Sequence, residues 1–429
     1  FPLDYYVVRL TDETSRSIDV RVHLYTGEVI GWHWTDRPAH PQGSWEENVE
    51  KAKEIAASQG FAPARLELDA RSSSSNTVEF KVSDVRVGDA GLRLTIGVDH
   101  DEAVTFAAGF QPPASYKDYI QRQNRWASWM TYAGSLLVTA LMTIAALLIA
   151  LRHRKQLSFS RGLVLALLFF AIYLANNYNM YPGILAVAGK EEGAAFTLVM
   201  MNLFAIGMTV SLYAALVAGE GLWRKAGWSE AWPRFRDRHF GEQVISGMVR
   251  GYLFAAIVLG VQSFMFLLSA KAFGMFTTSD PASSPLNMRY AWVYPLLAWA
   301  AAIQEEAFYR MYGIALFQRA FGRPLLAAFI PAVVWAFGHT SYPVYPVYTR
   351  VLELTVIGLV FAWIFLRHGF VTAVFTHAVV NSVLMGINLI MLASWTEMVA
   401  GFAHMVLPAA VAAVLVQAHR MRNGRKPAV

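Results

Sequence analysis

The sequence predicts a polytopic all-α transmembrane bundle of about eight to nine spans, preceded by an N-terminal soluble α+β domain. Hydrophobic residues occupy 55% of the 429 positions and charged residues only 15%, whereas a soluble domain averages about 25% charged residues. The charges are also segregated along the chain. Residues 1–125 carry 14 Lys and Arg against 19 Asp and Glu, and the remainder carries 22 against 11. An acidic soluble head is therefore expected before a basic membrane body.

Residues 1–120 are expected to form this head, which begins and ends with strands. Enrichment in Val, Ile and Tyr, with turn residues between the runs, is typical of short strands and of one hairpin. The predicted strands are Tyr5–Leu10, Ser17–Tyr25, Val29–Trp34, Val78–Val87 and Leu92–Val98. The residues that follow the head, 111–125, are predicted to be a polar linker.

One helix is predicted inside the head. Ser44 and Glu47 have the spacing of a capping box, and the helix is expected to end near Gln59, just before a glycine. This helix and the turn over residues 26–29 resemble PepSY-type modules, and the resemblance covers about half of the head. A generic folded ectodomain is the alternative interpretation.

Nine apolar segments follow the head, and each is a candidate membrane span. A helix needs about 20 apolar residues to cross a bilayer, so the sixth and seventh segments, which are shorter, are the weakest candidates. The first three segments and the linker make up residues 121–250, and the other six make up residues 251–418. The segments are 128–151, 160–184, 194–217, 249–269, 291–317, 324–341, 351–366, 370–393 and 398–418.

The loops between these segments predict the orientation of the chain. Every second loop is rich in Lys and Arg, and so is the tail at residues 419–429. Because basic loops stay on the cytoplasmic side, we expect an integral protein of a bacterial plasma membrane. Its head would be extracytoplasmic and its C-terminus cytoplasmic. The membrane accounts for the basic charge, so no nucleic acid partner is expected.

Two further features of the composition limit the chemistry and the processing of the chain. The absence of cysteine excludes disulfides, thiol catalysis and cysteine-based metal sites. The sequence opens at Phe1 without a basic or apolar leader segment. We therefore expect that an upstream signal or membrane anchor is missing from this start.

A charged motif, Gln304–Arg310, interrupts the fifth apolar segment. Ionisable side chains inside a membrane are costly and mark functional sites by default. Glu306 and Arg310 are four residues apart, so they share a helix face and can pair. Glu305 points about 100° away from its neighbour. One acid is therefore predicted to pair with the arginine, while the other is free for chemistry.

Two later segments carry histidines at helical spacing from an aromatic or amide residue. His339 follows Trp335 by four residues, and His377 precedes Asn381 by four. A carboxylate beside an imidazole can hold a water molecule and remove its proton. A second imidazole and a carboxamide can donate hydrogen bonds to an oxyanion. The set predicts hydrolysis of a peptide bond by an activated water, without a cofactor.

These motifs resemble the CPBP family of intramembrane proteases, which process CAAX proteins and bacteriocins. The three motifs are Glu305-Glu306-xxx-Arg310, Trp335-xxx-His339 and His377-xxx-Asn381, and the resemblance covers about residues 250–415. It implies that residues 251–418 form the catalytic domain. It also implies that Glu305 and His339 activate the water, that His377 and Asn381 form the oxyanion site, and that Glu306 and Arg310 support them. The family usually has Phe at the position of Trp335, which leaves the substrate open.

Three other interpretations stay open at this point. Glu305, His339 and His377 could instead bind Zn²⁺, which takes oxygen and nitrogen ligands, although the spacing differs from the HExxH motif of zinc proteases. A non-proteolytic scaffold or bacteriocin-immunity protein could use the same bundle. A transporter is a third alternative. The expected partners are the lipid bilayer and a membrane-associated protein or peptide substrate.

The depth of the motifs in the membrane predicts an irregular backbone. Counting residues places His339 near the outer end of its segment, Glu305 near the middle and His377 nearer the inside. We expect the spans to bend or break at Pro331 and in the aromatic loop at residues 342–348, so that these side chains can meet. Glu353, beside Arg350, is predicted to be a local ion pair.

Overall fold

A computed structural model describes residues 5–12, 16–23, 26–35, 44–71, 73–74, 76–99, 102–278 and 284–424. The chain divides into two compact units, Phe1–Gln121 and Arg122–Val429. The last two residues of the strand predicted over Ser17–Tyr25, and the end of the basic tail, lie outside the described residues.

The first unit is a seven-stranded antiparallel sheet with the order β1-β2-β3-β7-β6-β5-β4. The prediction of a soluble α+β head before a helical bundle is confirmed. Two strands, β4 and β7, were not predicted, because β4 is very short and Ala and Gly interrupt the apolar pattern of β7. The strands are β1 (Tyr5–Thr11), β2 (Ser17–His23), β3 (Val29–Trp34), β4 (Leu66–Leu68), β5 (Thr77–Val87), β6 (Ala90–Asp99) and β7 (Glu102–Gln111).

Helix α1 (Trp45–Ser58) packs on this sheet. The predicted capping box is present, with the Ser44 hydroxyl accepting from the Glu47 amide and the Glu47 carboxylate accepting from the Ser44 amide. The predicted hairpin is also present, since Val82 of β5 pairs with Leu92 of β6. Buried side chains of α1, β5 and β6 form a core of their own. The head therefore has its own hydrophobic core.

The second unit is helical. Among the described residues, six helices are long and apolar enough to cross a membrane, namely Ala114–Arg152, Ser160–Asn179, Glu191–Lys225, Phe240–Phe273, Val347–Ile390 and Trp395–Arg422. The helices are α2 (Ala114–Trp129), α3 (Leu137–Arg152), α4 (Ser160–Asn179), α5 (Tyr181–Ala188), α6 (Glu191–Lys225), α7 (Phe240–Phe273), α8 (Leu297–Glu305), α9 (Ala315–Phe321), α10 (Pro324–Phe337), α11 (Val347–Ile390) and α12 (Trp395–Gly424).

The linker predicted over residues 111–125 is helical from Ala114 onward. A π-helical stretch, Met130–Leu136, connects α2 to α3, so one helix of 39 residues begins in the predicted linker and ends at Arg152. The two prolines at 112 and 113 precede the first turn of this helix, where proline is tolerated. The residues that follow contain neither Gly nor Pro until Gly134. The polar composition of residues 111–125 therefore did not distinguish a linker from a helix.

The nine predicted apolar segments correspond to only six long helices, because two segments are joined in one helix and two others do not form a long helix. The seventh and eighth segments belong to α11, which is broken at Gly369 (φ 81°, ψ 178°). The fifth segment is built from a 3₁₀ turn, α8, a π-helix over Glu306–Ile314, and α9, none of them long by itself. The sixth segment is α10, with 14 residues.

Helix α11 is the centre of the second unit, since it packs against α7, α8, α10 and α12. Small residues allow these close approaches. A Cβ at Gly251 of α7 would lie 2.8 Å from the Phe375 Cβ atom, and one at Gly386 would lie 2.8 Å from the Gly401 carbonyl of α12. These contacts hold in place the part of α11 that carries His377.

Candidate active site

The charged motif lies where α8 passes into the π-helix. All nine residues of the π-helix are buried. A π-helix has i→i+5 hydrogen bonds and a wider turn, and is frequent at functional sites. Two hydrogen bonds join it to other helices: the Trp223 indole N–H of α6 donates to the Met311 carbonyl of the π-helix at 2.6 Å, and the Tyr312 hydroxyl of the π-helix donates to the Met142 carbonyl of α3 at 2.8 Å. The wide turn is thus held from both α3 and α6.

Glu305 is the residue around which the other predicted side chains gather. Its Oε2 atom accepts a hydrogen bond from the Trp335 indole N–H and lies 3.7 Å from His377 Nε2. Its Oε1 atom lies 3.8 Å from His339 Nε2. The Glu305 side chain is 15% exposed, so it lies at the edge of the buried region. Helices α8, α10 and α11 therefore bring one carboxylate and two imidazoles together.

The hydrogen-bond partners of the two Nδ1 atoms determine the orientation and the tautomer of both imidazoles. His339 Nδ1 lies 2.9 Å from the Trp335 carbonyl oxygen, which can only accept, so Nδ1 carries the proton. His377 Nδ1 lies 2.8 Å from Glu306 Oε1, and an ionised carboxylate likewise only accepts. In the neutral state, both Nε2 atoms are consequently lone-pair acceptors that face Glu305. This tautomer is assigned from the hydrogen-bond partners.

Glu306 has two partners. Its side chain is fully buried, and its Oε1 atom lies 3.1 Å from Arg310 Nη1, as the helix spacing predicted. The contact with His377 was not predicted, because the two residues are 71 positions apart and lie on different helices. The Arg310 guanidinium lies between two rings, 4.5 Å from the Trp335 centroid and 5.1 Å from the Phe361 centroid, where cation–π attraction stabilises it.

Asn381 is the predicted site residue that the structure does not join to the others. It lies on α11 one turn after His377 and is half-buried. Within the described part of the chain its side chain forms no hydrogen bond. The other six predicted residues, Glu305, Glu306, Arg310, Trp335, His339 and His377, are in mutual contact.

The backbone breaks that allow these contacts are only partly those expected. A bend or break was expected at Pro331, and the structure shows no break there, since Pro331 lies inside the continuous helix α10. His339 lies in a turn after α10 ends, and the neighbouring Thr340 hydroxyl donates to the Ala127 carbonyl at 3.0 Å. The aromatic loop is non-helical as predicted up to Pro346, where α11 follows, and its short strand β9 (Val344–Tyr345) pairs with β8 (Phe276–Thr277).

A second charged pair lies beside His339. The Tyr342 ring stacks on the His339 ring with centroids 5.9 Å apart, and the Arg350 guanidinium lies 5.5 Å from the Tyr342 centroid. Arg350 Nη1 donates to Glu353 at 2.9 Å, so the predicted local ion pair is present. Gln262 of α7 also donates to Glu353, at 3.1 Å.

The geometry around Glu305 also bears on whether the site could hold a metal ion. Among the described residues, no group of three His, Cys, Asp or Glu side chains is arranged so that it could hold a metal ion. Glu305, His339 and His377 are nevertheless the residue types that zinc prefers. Their Nδ1 atoms also have the carbonyl and carboxylate partners that orient metal-bound histidines.

One protein-family model matches the part of the chain that contains this site. Residues 287–383 match the family model of the type II CAAX prenyl endopeptidase Rce1-like proteins. The match includes all seven predicted site residues and excludes the head, so the resemblance to PepSY-type modules stays a prediction. No curated protein and no solved structure matches the chain significantly.

Proposed function

Because residues 287–383 match the family model of the type II CAAX prenyl endopeptidase Rce1-like proteins, we propose that the chain is a membrane protease with the following mechanism. It hydrolyses a peptide bond of a membrane-associated protein or peptide as a glutamate-type intramembrane endopeptidase. The observation that carries the proposal is the position of Glu305. Its two carboxylate oxygens face the Nε2 atoms of two histidines at 3.7 and 3.8 Å.

In the first step, one water molecule bridges Glu305 Oε1 and His339 Nε2. These atoms are too far apart for a direct hydrogen bond, and a separation of this size suits a bridging water. Glu305 removes a proton from the water as the oxygen attacks the substrate carbonyl carbon. The Trp335 indole N–H holds the other carboxylate oxygen, so the general base is kept in one orientation.

In the second step, His377 stabilises the oxyanion. An Nε2 atom that is a lone-pair acceptor cannot do so, and the imidazole must be protonated on both nitrogens. Glu306, at 2.8 Å from Nδ1, supports this imidazolium. With Glu305 and Glu306 ionised and Arg310 charged, a protonated His377 makes the buried group neutral overall, which lowers the cost of burying its charges. The Asn381 carboxamide is a candidate second donor.

Collapse of the tetrahedral intermediate completes the reaction. The carbon–nitrogen bond breaks, and Glu305 returns the proton to the leaving amine. The products are a new carboxylate and a new amino group, and the protein is restored. No prenyl group on the substrate is required by these steps.

A zinc-dependent protease is the second candidate, favoured by the Nδ1 partners of both histidines. Glu305, His339 and His377 would hold the ion, which would polarise the water and the carbonyl. Treatment with a chelator distinguishes the two candidates. We expect cleavage to survive it; loss of cleavage that zinc alone restores would establish the metal mechanism instead.

We also propose an orientation for the protein in a bacterial plasma membrane. The alternating basic loops support an extracytoplasmic head and a cytoplasmic C-terminus. The family match concerns the membrane unit only and carries no proposal for the head.

The decisive experiment compares the membrane proteomes of cells with the wild-type protein and with Glu305→Gln. The variant keeps the size and the hydrogen-bond acceptor of the side chain but cannot take a proton. We expect a set of shortened proteins or peptides that is present only with the wild type. Identical proteomes, with both proteins folded and equally abundant, would favour the scaffold or immunity interpretation.

A further inference from the structure

A cavity lined by cations lies at one end of the membrane unit and shares no lining residue with the charged motif. It has a volume of about 220 Å³ and is formed by the ends of α3, α6 and α9 and by the loop after α3. We call it the basic cavity. Its charged lining residues are Arg224, Lys225 and Arg319, with His153 beside them.

The charge of the basic cavity is not compensated by acids. None of its lining residues is acidic, and within the described ranges none of its three Lys and Arg side chains forms an ion pair with a carboxylate. Glu220, the acid nearest in sequence to Arg224 on the same helix, is bound by Arg161 at 2.5 Å and by Arg234 at 3.6 Å. Three permanent charges around one cavity create a strongly positive potential.

The lining also has an apolar side. Ile149 of α3 and Leu222 of α6 contribute to the wall. Next to them on α3, Leu148 and Leu151 are 61% and 68% exposed, as expected for side chains that face lipid tails. A ligand that fits both sides carries a negative phosphate and an attached apolar chain.

We propose that the basic cavity binds the phosphate headgroup of an anionic phospholipid, with an acyl chain along α3. Basic pockets between membrane helices are recognised sites for such headgroups. The shared chemistry is a phosphate group, which inorganic phosphate could also supply. The apolar wall and the exposed leucines favour the lipid.

The cavity lies next to residues that contact the π-helix, so a bound lipid affects the π-helix. Trp223, directly before Arg224, donates to the Met311 carbonyl in the π-helix, and Arg319 lies on α9, which continues that π-helix. A headgroup that contacts Lys225 and Arg319 joins α6 to α9 and so braces the π-helix. Anionic lipid therefore stabilises the folded membrane unit, whether or not the chain cleaves peptides.

The test measures lipid binding and thermal unfolding of the full-length protein in a neutral detergent. Dioleoylphosphatidylglycerol, dioleoylphosphatidylcholine and inorganic phosphate are titrated separately, and bound lipid is counted by native mass spectrometry. The double variant Lys225→Gln/Arg319→Gln removes two exposed cavity charges and leaves the contact of Arg224 with the Gln156 carbonyl in place. The matched control, Arg236→Gln/Arg238→Gln, removes two exposed charges that do not line the cavity.

We expect the wild type to bind phosphatidylglycerol in preference to phosphatidylcholine and to unfold at a higher temperature with it. Removing two cavity charges should weaken this binding about 25-fold, because each contributes about a fivefold factor near a membrane surface. The control pair should change it less than about twofold. If the cavity variant folds poorly, Lys225→Arg/Arg319→Lys, which keeps both charges, should bind phosphatidylglycerol like the wild type.

Three results would overturn the proposal. Equal binding of the two lipids would show that the charge of the headgroup is not recognised. Equal losses in the cavity and control variants would show a general surface attraction. Saturable binding of inorganic phosphate that displaces phosphatidylglycerol would make free phosphate the ligand.

Discussion

At the scale of single residues, the two adjacent acids of the motif have different surroundings. Glu305 is partly exposed and faces two imidazoles, whereas Glu306 is fully buried between Arg310 and His377. The indole N–H of Trp335 adds a contact that phenylalanine cannot make. Trp335, which stands where the resembled family usually has Phe, therefore donates a hydrogen bond to the proposed base, Glu305.

Replacing Trp335 with Phe tests this donor. Phenylalanine keeps an aromatic ring beside the Arg310 guanidinium, but the hydrogen bond to Glu305 is lost. A hydrogen bond to a charged group contributes about 1.5–3 kcal/mol. We expect turnover to fall roughly tenfold to a hundredfold with little change in the unfolding temperature. Trp363→Phe, a lipid-exposed exchange on α11, is the control. Wild-type turnover in Trp335→Phe would show that the donor is dispensable.

Replacing Glu306 with Gln tests the buried pair. The variant leaves the Arg310 charge in the interior without its counter-ion, which costs about 3–5 kcal/mol in comparable cases. We expect a clearly lower unfolding temperature and yield. Glu192→Gln, at the exposed start of α6, should behave like the wild type. Equal stability of the two variants would contradict the role of Glu306 as counter-ion.

At the scale of elements, the breaks in the helices are as important as the helices. Glu305 is the last residue of α8 and Glu306 the first of the π-helix, and α10 ends just before His339. The break at Gly369 begins the helical segment that carries His377. Glycine is required there because its φ of 81° and ψ of 178° lie in a region that other residues rarely adopt.

Gly369→Ala tests the break in α11. The backbone strain costs about 1–3 kcal/mol, and the added Cβ would lie 3.1 Å from the Ala231 carbonyl oxygen. We expect a lower unfolding temperature and weaker cleavage, because the position of His377 depends on this break. Gly260→Ala in α7, where a Cβ meets no atom within 4 Å, should be neutral or slightly stabilising. A stable and fully active Gly369→Ala protein would contradict this account.

At the scale of the whole molecule, the segregation of charge predicts the orientation in the membrane. The chain has no cysteine, so single cysteines can report on each side. Ser58→Cys in the head should react with an impermeant maleimide on intact cells. Ser229→Cys, in the basic loop between α6 and α7, should react only after the membrane is opened. The reverse labelling pattern would invert the proposed topology.

The sequence by itself determined the membrane class, the soluble head, the capped helix α1, the β5–β6 hairpin and the pairing of Glu306 with Arg310. These features depend on composition or on residues a few positions apart, which local periodicity reports. The proximity of Glu305 to His339 and His377 was expected only through the motifs and the family resemblance.

The tertiary structure decided the rest. Only packing shows that Trp335 donates to Glu305, that Glu306 is shared with His377, and that the Asn381 side chain forms no hydrogen bond in the described part of the chain. It also shows that the fifth segment contains a π-helix and that Pro331 does not break α10. These features arise from contacts between helices distant in sequence. A local sequence pattern does not show which π-helical turn, helix end or glycine break will bring the side chains of Glu305, His339 and His377 together.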